Sequence, residues 1–281
     1  MSSTLTGLWP DISVWMLLAA ALAVGWTGRR AAAMPLLAAA MASGWWSGVL
    51  GGTALLLFAT CLAAASRFAA IPARLRPAGH AALIIACLAF SLGLVPGLGR
   101  LPVAADVLTG PQSVPFSYSL GTGKPLAFFL LLFALPGLLD RPQQRDALRT
   151  GAAAILLAAL FALALAAGMI RWELSLPDWL PVFLAGNLLL TCLPEEAFFR
   201  GYLQRGLSGR LGPWPALAVS AALFGLAHAG GGPLLALFAG LAGLAYGAAF
   251  QFGGGLGCAV LFHFGFNLAH LLLFTYPAAA P

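Results

Sequence analysis

Two adjacent carboxylates, Glu195 and Glu196, stand in an otherwise apolar stretch, with Leu188, Leu189 and Leu190 before them and Phe198 and Phe199 after. A charge held in hydrocarbon costs ~2.5–3.5 kcal/mol on insertion scales, so acids kept there need a partner or a task. Neighbours on a helix point about 100° apart, so the two acids cannot share one job. Glu196 and Arg200 are spaced i, i+4 and can pair on one face, which leaves Glu195 available as a general base. Two further polar groups follow: His228, four residues after Phe224 at the end of a small-residue helix, and His263 with Asn267, again i, i+4. Carboxylate and imidazole groups can activate water near neutral pH when their surroundings tune them. Imidazole and carboxamide can donate to a developing oxyanion. Attack of water on a peptide carbonyl fits this set, with no hydroxyl or thiol nucleophile.

The elements that carry these groups are predicted to be membrane helices. Of 281 residues only 8% are charged and 61% are hydrophobic, and mean hydropathy is +0.95, far from the roughly 25% charged of a soluble domain. A spanning helix needs ~20 apolar residues. Gly, Pro and charges divide the chain into apolar runs near 12–27, 31–44, 47–65, 80–95, 125–139, 150–170, 180–207, 214–229, 233–250 and 257–275. The expected fold is an all-α polytopic bundle of about eight to ten helices with a four-helix catalytic core, because a closed β-barrel would alternate apolar and polar positions. A single integral membrane domain, 1–281, is expected, with 180–275 as the core and 1–170 as accessory helices. If the turn lies near Gly209 to Pro213, Glu195 and His228 stand 14 and 15 residues from it, roughly 21–23 Å along each helix, which puts them level.

The formal charge of +6 comes from scattered basic residues and makes no nucleic-acid stripe. Arg29 and Arg30, Arg67, Arg74 and Arg76, Arg141, Arg145 and Arg149, and Arg200, Arg205 and Arg210 fall on one side of the bundle. Arg100, Lys124 and Arg171 fall on the other, so the first side reads as cytoplasmic. Cys61, Cys87, Cys192 and Cys258 lie in apolar runs without CxxC spacing and read as small core residues. The start Met-Ser-Ser-Thr has no basic segment before the first apolar run, which argues against a cleaved signal peptide. The Gly-, Pro- and Ser-rich stretch 96–124 reads as a linker or a lid.

In the order Glu195-Glu196-x-x-x-Arg200, Phe224-x-x-x-His228, His263-x-x-x-Asn267, the chain resembles the CPBP intramembrane proteases. That group includes CAAX prenyl endopeptidases of the Rce1 type and the bacteriocin-processing or Abi proteins. The resemblance covers roughly residues 180 to 275. It implies a glutamate-dependent hydrolase in which Glu195 with His228 activates water and His263 with Asn267 holds the oxyanion, while Glu196, Arg200 and Phe224 support the site. It implies no cofactor. A divalent metal held by Glu195, His228 and His263 is the alternative to the glutamic mechanism. Ala-rich N-terminal spans and the segment Tyr118 to Phe129, with Lys124-Pro125-Leu126, resemble bacterial members attached to C-terminal protein-sorting systems. The implied partner is a protein or peptide substrate with a C-terminal sorting tag or a lipid modification, in the bacterial cytoplasmic membrane.

Competing readings are a transporter or channel that uses Glu195, Glu196 and His228 as a proton or cation relay, and a catalytically silent membrane scaffold. Gly206-Leu207-Ser208-Gly209 has a serine-protease look, but between Arg205 and Arg210 Ser208 reads as a turn residue. His270 is seven residues from His263 with no Glu between them, so no zinc helix is implied; it reads as a packing residue. Trp9, Trp15, Trp172, Trp179 and Trp214 read as interfacial anchors.

Overall fold

The computed structural model describes residues 7–141 and 145–281; the reading of the Met-Ser-Ser-Thr start lies outside the described residues. The chain begins with α1 (Ile12–Trp26), α2 (Arg30–Trp46), α3 (Gly52–Ser66) and α4 (Arg76–Ser91). Strands β1 (Arg100–Val107) and β2 (Phe116–Gly121) pair as a two-stranded sheet. Then come α5 (Gly123–Ala134), α6 (Ala147–Ala166), α7 (Leu180–Leu211), α8 (Pro213–Ala227), α9 (Pro233–Gly254) and α10 (Leu256–Leu273). The last three reversals turn on Gly212, Gly232 and Gly255, at φ 83, 99 and 77°, a region that a side chain disfavours. Pro213 and Pro233 then open α8 and α9 where a missing N–H costs nothing.

Among the described residues, five helical stretches are long and apolar enough to cross a membrane: Ala73–Ser91, Ala147–Ala166, Leu180–Leu211, Pro233–Gly254 and Leu256–Leu273. Their outward faces are apolar too, with Ile85, Ile155, Leu163, Leu234 and Leu261 all exposed, as lipid requires and water would not. The molecule is an integral membrane helix bundle.

Contacts cluster into two compact units. One runs to residue 104 and adds 118–138 and 178–195; the other holds 105–117, 139–177 and 196–281. At the centre of the first is α5, buried on nearly every side from Leu126 to Leu132, a pattern that marks a helix enclosed by others. It packs on α1, α3 and α4, and at 1.5 Å per residue its 12 residues reach only ~18 Å. The apolar run read as 125–139 is therefore a short central helix, not a full span. Trp15 and Trp179 also belong to this core, at 2% and 5% exposure. They are packing residues, a correction to their reading as anchors; Trp9, Trp172 and Trp214 are exposed.

The second unit packs α8 against α9 through glycine. A Cβ on Gly225 would stand 2.6 Å from the Ala236 carbonyl and 3.0 Å from the Gly240 Cα, so the two backbones touch, as small residues permit between membrane helices. Beyond α10 the chain turns back along the loops. Ala279 bridges Ser113 and Phe274 bridges Trp172.

The stretch 96–124 is not a bare linker. Leu101 and Val103 are buried while Arg100 and Pro102 are exposed, the period-two alternation of a half-buried strand.

Candidate functional site

The two acids occupy a single α-helical turn, Leu193–Glu196, between two wider i→i+5 segments, Gly186–Cys192 and Ala197–Gln204. Pro194 has no N–H to give back to the preceding turn, a local reason for the ladder to widen ahead of it. Wide turns of this kind are rare and concentrate at functional sites.

In the first unit, Glu195 is 12% exposed and its Oε1 lies 2.5 Å from Lys124 Nζ at the start of α5. Sequence spacing left this acid available as a base; the structure gives it a cation 71 residues away.

In the second unit, Glu196 and Arg200 are fully buried, with Glu196 Oε1 2.8 Å from Arg200 Nη1, the pair that the i, i+4 spacing predicts. Arg200 Nη2 donates to the Gly243 carbonyl at 3.0 Å, and one helical turn along Gln204 Nε2 donates to the Gly247 carbonyl at 3.0 Å. A side chain at either glycine would crowd these two residues: a Cβ on Gly243 would be 3.1 Å from Arg200 Nη2, and one on Gly247 2.7 Å from the amide oxygen Oε1 of Gln204. The guanidinium also sits over the Phe224 ring, 4.5 Å from its centroid, a favourable cation–π placement. Phe224, which the motif marked only as supporting, is thus a wall of the arginine's socket.

His263, 4% exposed, places Nδ1 2.8 Å from Glu196 Oε1 and stacks on Tyr246 at 4.6 Å between ring centroids. A carboxylate accepts, so Nδ1 carries the proton. Nε2 then holds a lone pair unless the ring is an imidazolium, and only the imidazolium could donate there to an oxyanion. His228 ends α8, and its Nδ1–H donates to the Phe224 carbonyl at 2.8 Å. By the same reasoning its Nε2 is an acceptor, suited to taking a proton from water.

Phe224, His228, His263 and Asn267 line one cavity of about 560 Å³, otherwise walled by apolar side chains such as Phe161, Leu235 and Phe238. His270 and Tyr276 line it as well, their rings 5.0 Å apart, so the ring expected only to pack also faces the chamber. Tyr246, Lys124 and the glycines of α9 were missed by motif reading. The spacing of Gly240, Gly243 and Gly247 along one helix face was the signal available for the last.

Ser208 lies inside the helical segment Arg205–Leu211, where its hydroxyl donates to the Gln204 carbonyl at 2.8 Å. It is a helix residue, not a turn residue. Among the described residues, no three His, Cys, Asp or Glu side chains come together in a way that could hold a metal ion.

Residues 177–269 match the family model described as Rce1-like, Type II CAAX prenyl endopeptidase Rce1-like. Comparison with curated proteins finds no match, and neither does comparison with solved structures.

Proposed function

We propose that this chain, a member of the CAAX-protease (CPBP) family through its Rce1-like segment 177–269, is an intramembrane endopeptidase that hydrolyses a peptide bond of a membrane-associated protein or peptide. Glu195 serves as the base for the attacking water, assisted by the lone pair on His228 Nε2. His263 and Asn267 stabilise the oxyanion, His263 in its imidazolium form. Glu196 orients His263, Arg200 holds Glu196, and Phe224 walls the Arg200 guanidinium. The mechanism is glutamic and needs no metal ligand set. The substrate carries a C-terminal sorting tag or a lipid modification, and the setting is a bacterial cytoplasmic membrane.

One observation carries this reading: His228, His263 and Asn267, from α8 and α10, line a single chamber with room for water and an apolar side chain. Preorganised donors in a site screened from bulk solvent are usually the largest contribution to acyl-transfer catalysis. The test is cleavage of a peptide library by the purified protein in detergent, with products read by mass spectrometry. Glu195→Ala and His228→Ala are each expected to lower the rate by roughly 10²–10⁴-fold, the scale of a positioned acid or base. Equal cleavage by wild type and both variants would defeat the assignment, and Glu195-dependent proton flux without cleavage would point to transport.

A further inference from the structure

The chamber of the second unit holds two polar side chains that the proposed chemistry leaves unused. His270 stands on the same face of α10 as His263, seven residues and ~10 Å further along the helix, and Tyr276 lies just past the helix end. Both line the chamber, together with apolar side chains such as Phe161, Ile170 and Phe238. His270 Nε2 is shut off from solvent and has no hydrogen-bond partner among the described residues. The hydrogen bonds of Tyr276 are made by its backbone, and among the described residues its hydroxyl has none. In an apolar enclosure an unmet polar atom costs free energy, which a ligand that satisfies it restores.

Both groups are fixed in place. The His270 ring packs edge-on against Phe161 and Tyr276, with centroids 6.1 and 5.0 Å away. Tyr276 is held through its main chain: its N–H donates to Ser113 Oγ at 3.0 Å, and its carbonyl accepts from Thr109 Oγ1 at 3.1 Å. Ser113 in turn donates to Glu173 Oε2 at 2.5 Å, while Glu173 Oε1 accepts the Gln112 N–H at 2.8 Å. A buried carboxylate with both oxygens satisfied therefore anchors the hydroxyl that positions Tyr276. Such preorganisation lowers the ordering cost of binding.

We propose that His270 and Tyr276 form a subsite for one amide group of the substrate, with Nε2 accepting the amide N–H and the phenol donating to the amide carbonyl. The proposal rests on the peptidase reading for the identity of the substrate, though not for the site itself. An amide is a neutral group that carries a donor and an acceptor side by side. An ionised group would shed its hydration in this enclosure with no opposite charge on the pair to meet it. Burial pushes the phenol up to about 12, so it keeps the proton it donates. The ~10 Å from His263 equals about three extended residues, which puts a main-chain amide bound here about three residues from the bond that is cut. An Asn or Gln side chain carries the same group, and the test separates the two sources.

Peptides found to be cleaved by the purified protein are remade with one main-chain amide at a time replaced by an ester, which lacks the N–H, over four residues on either side of the cut. Wild type, His270→Phe and Tyr276→Phe are compared, because phenylalanine keeps the ring packing at both positions. For wild type, one ester about three residues from the cut is expected to raise KM about tenfold, the scale of a neutral hydrogen bond, with kcat unchanged. His270→Phe should raise KM equally for the all-amide peptide and then be indifferent to that ester. In parallel, thermal unfolding is followed with millimolar N-hexylacetamide or hexyl acetate. The amide should stabilise wild type more than the ester does, and the difference should vanish in His270→Phe. Tyr276→Phe should weaken stabilisation by both. If no ester matters but cleaved peptides require Asn or Gln at one position, and His270→Phe removes that requirement, the subsite stands with a side-chain amide as its ligand. Cleavage that neither ester placement nor His270→Phe alters in KM would overturn the subsite and leave the peptidase intact. No cleavage at all, with amide-selective stabilisation that needs His270, would overturn the peptidase and leave the site. Equal stabilisation by amide and ester, with His270→Phe lowering kcat for every peptide alike, would mark His270 as structural and overturn the proposal.

Discussion

His263 Nδ1 lies 2.8 Å from Glu196 Oε1, the same oxygen that Arg200 Nη1 approaches at 2.8 Å. One buried carboxylate oxygen therefore holds a guanidinium and an imidazole together. Removing either charge leaves the other stranded, and an uncompensated buried charge costs ~3–5 kcal/mol. Glu196→Ala and Arg200→Ala should each lower thermal stability sharply in detergent, and the double variant should lose less than the sum of the two. Additive losses would show that the pair is not coupled.

Asn267 shares the chamber wall with His263. If its amide meets the oxyanion, Asn267→Ala should cut kcat by about 10²–10³-fold with little change in KM, as for loss of one oxyanion donor. A rise in KM at unchanged kcat would assign it to substrate binding instead. Steady-state cleavage kinetics separate the two outcomes.

Two glycines that face each other across the α8–α9 contact should respond unequally. A Cβ on Gly225 meets the Ala236 carbonyl at 2.6 Å, whereas one on Gly240 finds nothing nearer than 3.7 Å. Gly225→Ala should destabilise by ~1–3 kcal/mol, the usual cost of overpacking, and Gly240→Ala should be close to neutral. Unfolding curves recorded side by side check the difference.

Burial pushes the Tyr276 phenol up to about 12. Between pH 10 and 12 the unfolded chain loses this proton and the folded chain keeps it, so stability falls as pH rises through that window. Tyr276→Phe should remove this part of the alkaline loss and leave stability below pH 10 without that slope. Melting temperatures taken from pH 8 to 12 would show it.

Much of the helical framework was legible because Gly and Pro interrupt apolar runs abruptly. The breaks at Gly212-Pro213 and Gly232-Pro233 are visible in the sequence and are the observed reversals. The Glu196–Arg200 pair was legible because it is local, one turn of one helix. Contacts that depend on distant chain segments were not: Lys124 with Glu195, and His263 with Glu196, are 71 and 67 residues apart. Burial was equally hidden. In a chain apolar on every face, nothing in the residue type separates Trp15, enclosed by protein, from Trp214, which is exposed. The strand pair was obscured by its Gly, Pro and Ser content, although Leu101 and Val103 carry the alternation.

The widened stretch Gly186–Cys192 has a consequence for how this helix tolerates change. An i→i+5 turn stores one residue more than an ordinary ladder requires, so it acts as slack in the rod. Deleting one residue there would restore regular i→i+4 winding and take up the slack, leaving the Glu196 to Gln204 stretch in phase with its glycine partners. Length variation within α7 is therefore absorbed in its two widened stretches, on either side of the turn Leu193–Glu196.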